Sequence, residues 1–350
     1  MSENENAIPV AVIGVGRMGR HHARTLNNMP RANLVGVVDG DEERAHTAAD
    51  EYGTNAYTSV EALLEAQPNL RAATVAVPTI YHAAAAHPLL ERGIACLVEK
   101  PIAGSVAEAR ALADFASKHN AVLQVGHTER FNPAVRAVAG MGLTPRFIEV
   151  TRVSPMTFRS LDVGVVMDMM IHDLDVVLSL VGRPIERVEA VGLRLLGEHE
   201  DICDARLTFE GGCVATFKGS RVALHTERKL RLFSEQGYVS LDYGNRSGIV
   251  VGSAKNEQAL RDVRAQLAAG KDLSDLDYMD LVNIAQLTMD LPPEEEDQLT
   301  AQATAFLDAA VTGKAPVVSA EDGYAAVAAA ERIVESIRAH TWEGIDHAGF

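Results

Sequence analysis

AIPVAVIGVGRMGR, residues 7–20, decides the fold. Residues 7–14 form a short β-rich apolar run that ends in Gly14-Val15-Gly16-Arg17-Met18-Gly19, and a helical pattern continues through residue 28. NLVGVVD (33–39) then reads as a second strand closing on an acid. Strand, Gly-x-Gly-x-x-Gly, helix, strand, acid is the order of a dinucleotide-binding βαβ unit. The three glycines serve different physical ends. Gly14 permits the tight turn, Gly16 lets backbone approach a pyrophosphate, and Gly19 lets helix and strand pack closely. The free N–H groups of the helix start face the phosphates, with Arg17 and Met18 beside them. Asp39 lies 20 residues past Gly19, where a carboxylate accepts from ribose hydroxyls. Asp41 follows closely, and two acids there repel a 2′-phosphate, so the expected cofactor is NAD rather than NADP. The competing reading, a glycine turn in some other α/β protein, lacks this strand–helix–strand context.

Further along the chain, residues 71–78, 94–101 and 121–127 read as buried parallel strands, separated by helical stretches at 80–92 and 105–119. Ligands of such doubly wound sheets sit at the carboxyl ends of the strands. That puts Pro78, Thr79, His82, Glu99, Lys100 and His127 on the cofactor side. After His127 the pattern changes to polar–apolar alternation. Residues 145–154 and 186–196 read as strands, 204–220 as a hairpin turning at Gly211-Gly212, and 229–244 as another hairpin. This is a sheet with one covered face. Residues 255–280 are polar and partly helical, in the manner of an insertion, and residues 294–312 and 321–340 read as helices.

At 350 residues the chain suits two domains. With 48 acidic and 32 basic residues its formal charge is −16, which excludes sequence-independent nucleic-acid binding but not an anionic small ligand. MSENENAIP has neither the basic start nor the apolar core of a secretory signal, and no apolar run is long enough to span a membrane. The three cysteines, Cys96, Cys203 and Cys213, are odd in number and lack metal-binding spacing, which fits a reducing cytoplasm and no metal site.

DVGVVMDMMIHDLDVV, residues 162–177, sets Asp168 and His172 four positions apart in an apolar helical run. On a helix the two share a face. A carboxylate there holds one imidazole nitrogen and leaves the other free to take a proton.

GVGRMG, VPTIYH, VEKP and this Asp–His helix together resemble the glucose–fructose oxidoreductase / inositol dehydrogenase / MocA-like family, over nearly the whole chain. The resemblance implies an N-terminal Rossmann domain (1–126) and a substrate and oligomerisation domain with a large open, mostly antiparallel sheet (127–318). A C-terminal helix (319–350) then packs back toward the first domain. It also implies NAD-dependent oxidation of a sugar or cyclitol carbon, and a homodimer or homotetramer. Lys100 then meets the reacting oxygen and Glu99 the cofactor. Because a sugar hydroxyl is a very weak acid, its proton needs a positioned base, and His172, oriented by Asp168, is the candidate. Pro101 fixes the turn behind Lys100, where a cis bond is plausible.

Within the family, residues 125–138 and 145–175 resemble the bacterial UDP-N-acetylglucosamine 3-dehydrogenases, which oxidise the sugar 3-hydroxyl ahead of amination for lipid A. A nucleotide sugar carries a diphosphate that needs cations. Arg130, Arg152 and Arg159 are candidates, with Asn132 as a reader of a sugar hydroxyl or acetamido group. The alternatives are an inositol or free-sugar dehydrogenase, which does not need the arginines; a non-enzymatic cofactor-sensing regulator, which does not need the base; and an NAD-dependent glycosidase.

Overall fold

The computed structural model describes residues 7–157, 163–277, 283–287 and 297–342. The chain divides into two compact units, residues 1–131 with 292–331, and residues 132–291 with 332–350.

The first unit holds six parallel strands, β1 (Ile8–Ile13), β2 (Ala32–Val38), β3 (Ala56–Tyr57), β4 (Ala72–Val75), β5 (Ala95–Val98) and β6 (Leu123–Val125). Their spatial order is β3-β2-β1-β4-β5-β6, so the order reverses between β1 and β4, the switch point at which open α/β sheets bind ligands. The strands alternate with α1 (Arg17–Asn28), α2 (Glu42–Tyr52), α3 (Val60–Ala66), α4 (His82–Leu90) and α5 (Val106–Lys118). The helices start where the sequence supplies an acceptor. Asp41 caps α2 at Arg44 N, Ser59 caps α3 at Ala62 N, and Ser105 caps α5 at Glu108 N. α1 has no side-chain cap, which leaves its first N–H groups to a ligand.

The second unit begins with α6 (Pro133–Gly140) and the strand β7 (Phe147–Val153). A π-helical turn, Val166–Met170, runs into α7 (Ile171–Val181). β8 (Ile185–Leu193), β9 (Ile202–Phe209), β10 (Val214–Ser220), β11 (Glu227–Ser234), β12 (Gly237–Asp242) and β13 (Ser247–Gly252) follow, then α8 (Ser253–Ala268) and β14 (Ala285–Gln286). The eight strands lie in the order β14-β13-β12-β11-β7-β10-β9-β8, antiparallel throughout except for β7 against β10. The β9–β10 hairpin turns at Gly211 and Gly212, with φ of +87° and +85°, the mirror-image turn that favours glycine. The sheet is one-sided as its alternation predicts. In β7, Ile148, Val150 and Arg152 are buried while Phe147, Glu149 and Thr151 face outward. The α7 segment covers the buried face, where a Cβ on Gly219 would stand 3.0 Å from Met170 Cε. β13 and β14 are strands that the sequence pattern did not reveal, and α8 is the helical part of the polar 255–280 stretch.

Two further helices, α9 (Gln298–Thr312) and α10 (Ala320–Ala339), close the described chain. The expected boundaries place residues 298–312 in the second domain, yet Phe306 and Leu307 lie in the first unit's core with Val12, Leu26 and Leu97. A helical period says that one face is apolar but not which sheet it will meet. Full burial of a Phe or Leu side chain is worth roughly 1.5–3 kcal/mol, enough to fix that choice. The expected C-terminal helix is shared. Its residues 320–331 belong to the first unit, where a Cβ on Gly323 would stand 2.6 Å from a Val125 methyl. Its residues 332–339 belong to the second, where Arg332 donates to the Ile185 carbonyl at 2.9 Å.

Candidate active site

The β1–α1 turn is shaped for a pyrophosphate. Gly14 has φ of +86°, and a Cβ there would stand 2.7 Å from Val77 N. A Cβ on Gly19 would stand 1.7 Å from the Gly14 carbonyl oxygen, so the helix can begin this close to the strand only without a side chain. Gly16 differs: nothing lies within 4 Å of the place its Cβ would take. That open front is where a ligand approaches the α1 N-terminus, with Arg17 and Met18 beside it. Asp39, just past β2, belongs to the same turn, since its Oδ2 accepts from Val15 N and its Oδ1 from Asp41 N, both at 3.0 Å. These bonds fix the carboxylate and leave it lone pairs for ribose hydroxyls. Arg44 stands 3.7 Å from Asp39 and bonds Asp41 at 2.9 Å, and the Arg44 bonds hold the Asp41 carboxyl below its ordinary pKa. The cradle and its anionic rim fit NAD.

Lys100 follows β5 between Glu99 and Pro101, and the Lys100–Pro101 bond is cis. Glu99 is buried. Its Oε1 lies 2.7 Å from His22 Nε2, and its Oε2 accepts from Lys100 N at 3.1 Å. Burial works to raise the Glu99 pKa, but the His22 hydrogen bond and the neighbouring His22 and Lys100 charges win and hold it below the ordinary carboxylate value. Gly126 makes the room, because a Cβ there would stand 3.1 Å from the Glu99 carboxylate. His82, on α4, is also buried. Its Nδ1 lies 3.0 Å from the Pro101 carbonyl and its Nε2 2.9 Å from the Val77 carbonyl. Both ring nitrogens face backbone carbonyls, and the neutral ring, with one N–H, donates to one of them at a time, so His82 stands between the turn after β4 and the turn after β5. Burial pushes its pKa down against the pull of those carbonyls. His127, just past β6, is fully buried, and burial pushes it down to about 3, with the Lys100 and Arg130 charges adding to the effect. Pro78 and Thr79 open the short 3-10 turn between β4 and α4.

His22 is the residue that sequence reading missed. A signal was present: Gly19, His22, Ala23 and Leu26 form the buried face of α1, and a histidine on a buried face requires a partner.

In the second unit, Asp168 sits in the π-turn and His172 in the first turn of α7. Residues four apart overshoot alignment by about 40° in an α-helix, and the wider i→i+5 turn takes up part of that. Two buried arginines fasten the segment. Arg152 grips Asp173, next to His172, through Nε at 2.6 Å and Nη2 at 3.0 Å. Arg221 donates from Nη1 to the Val163 carbonyl at 2.7 Å and from Nε to Asp201 Oδ1 at 2.7 Å. Glu200 accepts from Val165 N through its carbonyl at 2.9 Å and from Val166 N through Oε1 at 3.3 Å.

The expected sugar and phosphate contacts fare unevenly. Arg130 donates from Nη2 to the Val317 carbonyl at 3.1 Å and stands 3.7 Å from Asp322, so that nitrogen serves the first unit itself. Asn132 is buried as the cap of α6, its Oδ1 accepting from Ala134 N at 3.1 Å. Arg159 lies outside the described residues. Among those described, no cluster of His, Cys, Asp and Glu could hold a metal ion, and no helix is long and apolar enough to cross a membrane.

The glycine cradle, the acid that rims it and the lysine at the end of β5 belong to an NAD-dependent oxidoreductase acting on CH–OH groups. Comparison with known proteins gives the family. The description "Oxidoreductase family, NAD-binding Rossmann fold" matches residues 8–127, and "GFO/IDH/MocA C-terminal domain" matches residues 135–240. The chain belongs to the GFO/IDH/MocA family. It is 39% identical over 238 residues to the UDP-N-acetylglucosamine 3-dehydrogenase of Acidithiobacillus ferrooxidans, spanning 67% of this chain and 74% of that protein. It is 30% identical over 236 residues to the scyllo-inositol 2-dehydrogenase (NAD(+)) of Bacillus subtilis, spanning 63% and 69%. A solved structure of the Acidithiobacillus enzyme superposes with a TM-score of 0.81 at 30% identity, over 95% of this chain and 98% of that one. A levoglucosan dehydrogenase in complex with NADH and levoglucosan superposes with a TM-score of 0.79 at 20% identity over 95% and 98%, a likeness of fold.

Proposed function

We propose that this dehydrogenase oxidises the 3-hydroxyl of UDP-N-acetylglucosamine to the 3-keto sugar. The observation that carries the reading is the 39% identity to an enzyme of that name, which extends across both units. NAD, when bound, supplies the acceptor for the hydride that leaves the sugar carbon. Gly14, Gly16, Arg17, Met18 and Gly19 would hold its pyrophosphate, and Asp39 its ribose. Pro78, Thr79 and Glu99 would line its path along the strand ends. The chain's own groups manage the proton and the charge. His172 accepts the hydroxyl proton, Asp168 orients its ring and favours the imidazolium, and the Lys100 ammonium stabilises negative charge as it grows on the oxygen. Arg159 is the candidate cation for the diphosphate, by its chemistry and its place in the sequence. The 3-keto product is a substrate for an aminotransferase, in keeping with amino-sugar synthesis for lipid A. We place the protein in the cytoplasm as a homodimer or homotetramer, with the outward face of the eight-stranded sheet as the self-association surface.

One observation favours a second reading, an inositol or free-sugar dehydrogenase. Of the three arginines that a diphosphate would recruit, Arg130 bonds the Val317 carbonyl and Arg152 is gripped by Asp173. Incubation with NAD and UDP-N-acetylglucosamine, with and without 2-oxoglutarate, followed by mass spectrometry for loss of two hydrogens, separates the two. A 3-keto nucleotide sugar made by wild type and not by His172→Ala supports the first reading. Turnover of inositol or free N-acetylglucosamine alone replaces it with the second.

A further inference from the structure

Lys100 lies between two residues that are each engaged by a buried histidine. Upstream, Glu99 Oε1 lies 2.7 Å from His22 Nε2, a residue of α1 that is 2% exposed. Downstream, the Pro101 carbonyl lies 3.0 Å from His82 Nδ1, a residue of α4 that is 1% exposed. A buried carboxylate–imidazole pair is a weak source of stability compared with apolar packing of the same volume, because both groups are taken out of water. What such a pair supplies instead is a fixed geometry.

We propose that His22 and His82 are positioning residues for the reaction: from two different helices they brace the Glu99–Lys100–Pro101 turn, and His22 also keeps an anion beside Lys100. The inference rests on the reading of Lys100 as the group that meets the reacting oxygen. A lysine side chain is long and flexible, so the protein can aim its ammonium only by fixing the backbone that carries it and the charges around it. Glu99 does both. It accepts from the Lys100 N–H at 3.1 Å, and its own carboxylate is confined by Gly126, where a Cβ would stand 3.0 Å from Glu99 Cα. The titratable groups facing this turn are His22 on α1, His82 on α4 and His127 after β6, and Arg130 and Asp322 act on His127 in turn. His22 hydrogen-bonds the Glu99 carboxylate through its side chain. Without it, burial pushes the Glu99 pKa up with only the Lys100 charge and N–H to oppose it, and the anion that favours the Lys100 ammonium is weakened.

The test uses the full-length protein with UDP-N-acetylglucosamine as substrate. His22→Leu should leave NAD affinity within about threefold and lower kcat by about 30-fold, the order expected when a reacting group is misplaced by a fraction of an ångström. His22→Gln returns a donor near the Nε2 position and should recover most of the loss. His82→Leu should show the same split between kcat and NAD affinity, and it keeps the test available if His22→Leu does not fold. In the NAD-free protein, Lys100 is acylated with acetic anhydride across a pH series and read by peptide mass spectrometry. The half-labelling pH should fall by about one unit in His22→Leu, a tenfold change in the deprotonated fraction, and return in His22→Gln. An unchanged labelling curve in His22→Leu, or a kcat loss matched by an equal loss of NAD affinity, overturns the brace. Full turnover by Lys100→Met would instead overturn the role of Lys100, a separate failure because the labelling reads the brace directly.

Discussion

The turn that carries Lys100 and the helix that carries His172 solve the same problem by different means. Around Lys100 the geometry comes from backbone shape and small residues: the Gly14–Gly19 cradle, the room left by Gly126, and buried histidines on backbone carbonyls and on one carboxylate. Around His172 it comes from long charged side chains. Arg152 on Asp173 and Arg221 on Asp201 and Val163 hold a helix that a π-helical turn precedes. Sterically fixed geometry should fail abruptly when a single methyl is added. Ion-pair geometry should fail when one partner is removed and recover when both are replaced.

The largest effect is expected at Gly19. Gly19→Ala would set a methyl 1.7 Å from the backbone oxygen of Gly14, where no flexible side chain can yield. The first unit should lose more than about 3 kcal/mol, read as a collapse in thermal midpoint together with loss of NAD binding. Gly16→Ala is the contrasting experiment. Its methyl meets nothing within 4 Å, so stability should change by less than about 0.5 kcal/mol while NAD affinity falls about tenfold. If the two variants behave alike, the cradle is misread.

The ion pair is next. Asp173→Ala removes the carboxylate that the buried Arg152 grips and should cost about 3–5 kcal/mol in denaturant unfolding. Asp173→Leu combined with Arg152→Met should recover most of that, because the cost lies in the charge left without that carboxylate. A double variant as unstable as the single one would mean that packing, not charge, holds α7. The base itself should then show its effect in rate rather than stability. His172→Ala is expected to lower kcat by about 10²- to 10⁴-fold with an unchanged thermal midpoint, and Asp168→Asn by less. Equal kcat in wild type and His172→Ala would remove the proton role from this helix.

These two regions were also unequally legible in the sequence. The glycine spacing, the acid at residue 39 and the Glu99-Lys100-Pro101 turn could be read because each is a local rule: a turn type, a helix start or a strand end fixes where the residue stands. The one-sidedness of the second sheet was legible for the same reason, since alternation is local. Partners distant in sequence were not. Nothing in residues 17–28 says that His22 will meet a carboxylate 77 positions away, nor that Arg152 will face Asp173 rather than a diphosphate. Arg130 and Asn132 show the same limit from the other side. Both look like ligand readers, yet Asn132 caps a helix and an Arg130 nitrogen bonds the carbonyl of residue 317. The π-turn was hidden because its period differs from that of an α-helix by too little to show in five residues.

The smallest expected effect tests whether the Lys100 region depends on a histidine that stays neutral. Burial and nearby cations push His127 from an ordinary value of 6.5 to about 3. Below pH 6.5 the unfolded chain therefore takes up a proton at this residue that the folded chain refuses until about pH 3. The contribution of His127 to stability is fully present above 6.5 and declines as the pH falls from there, by about 1 kcal/mol between pH 6 and pH 5. His127→Phe removes that titration but leaves every other acid-side group in place, Glu99 included. Unfolding curves at pH 6 and 5 should thus show a smaller loss in His127→Phe than in wild type by about that amount, whatever the variant's absolute stability. Parallel losses would mean that His127 takes up its proton in the folded protein as readily as in the unfolded chain. The Lys100 turn would then stand beside a cation, and its geometry would depend on charge as much as the His172 helix does.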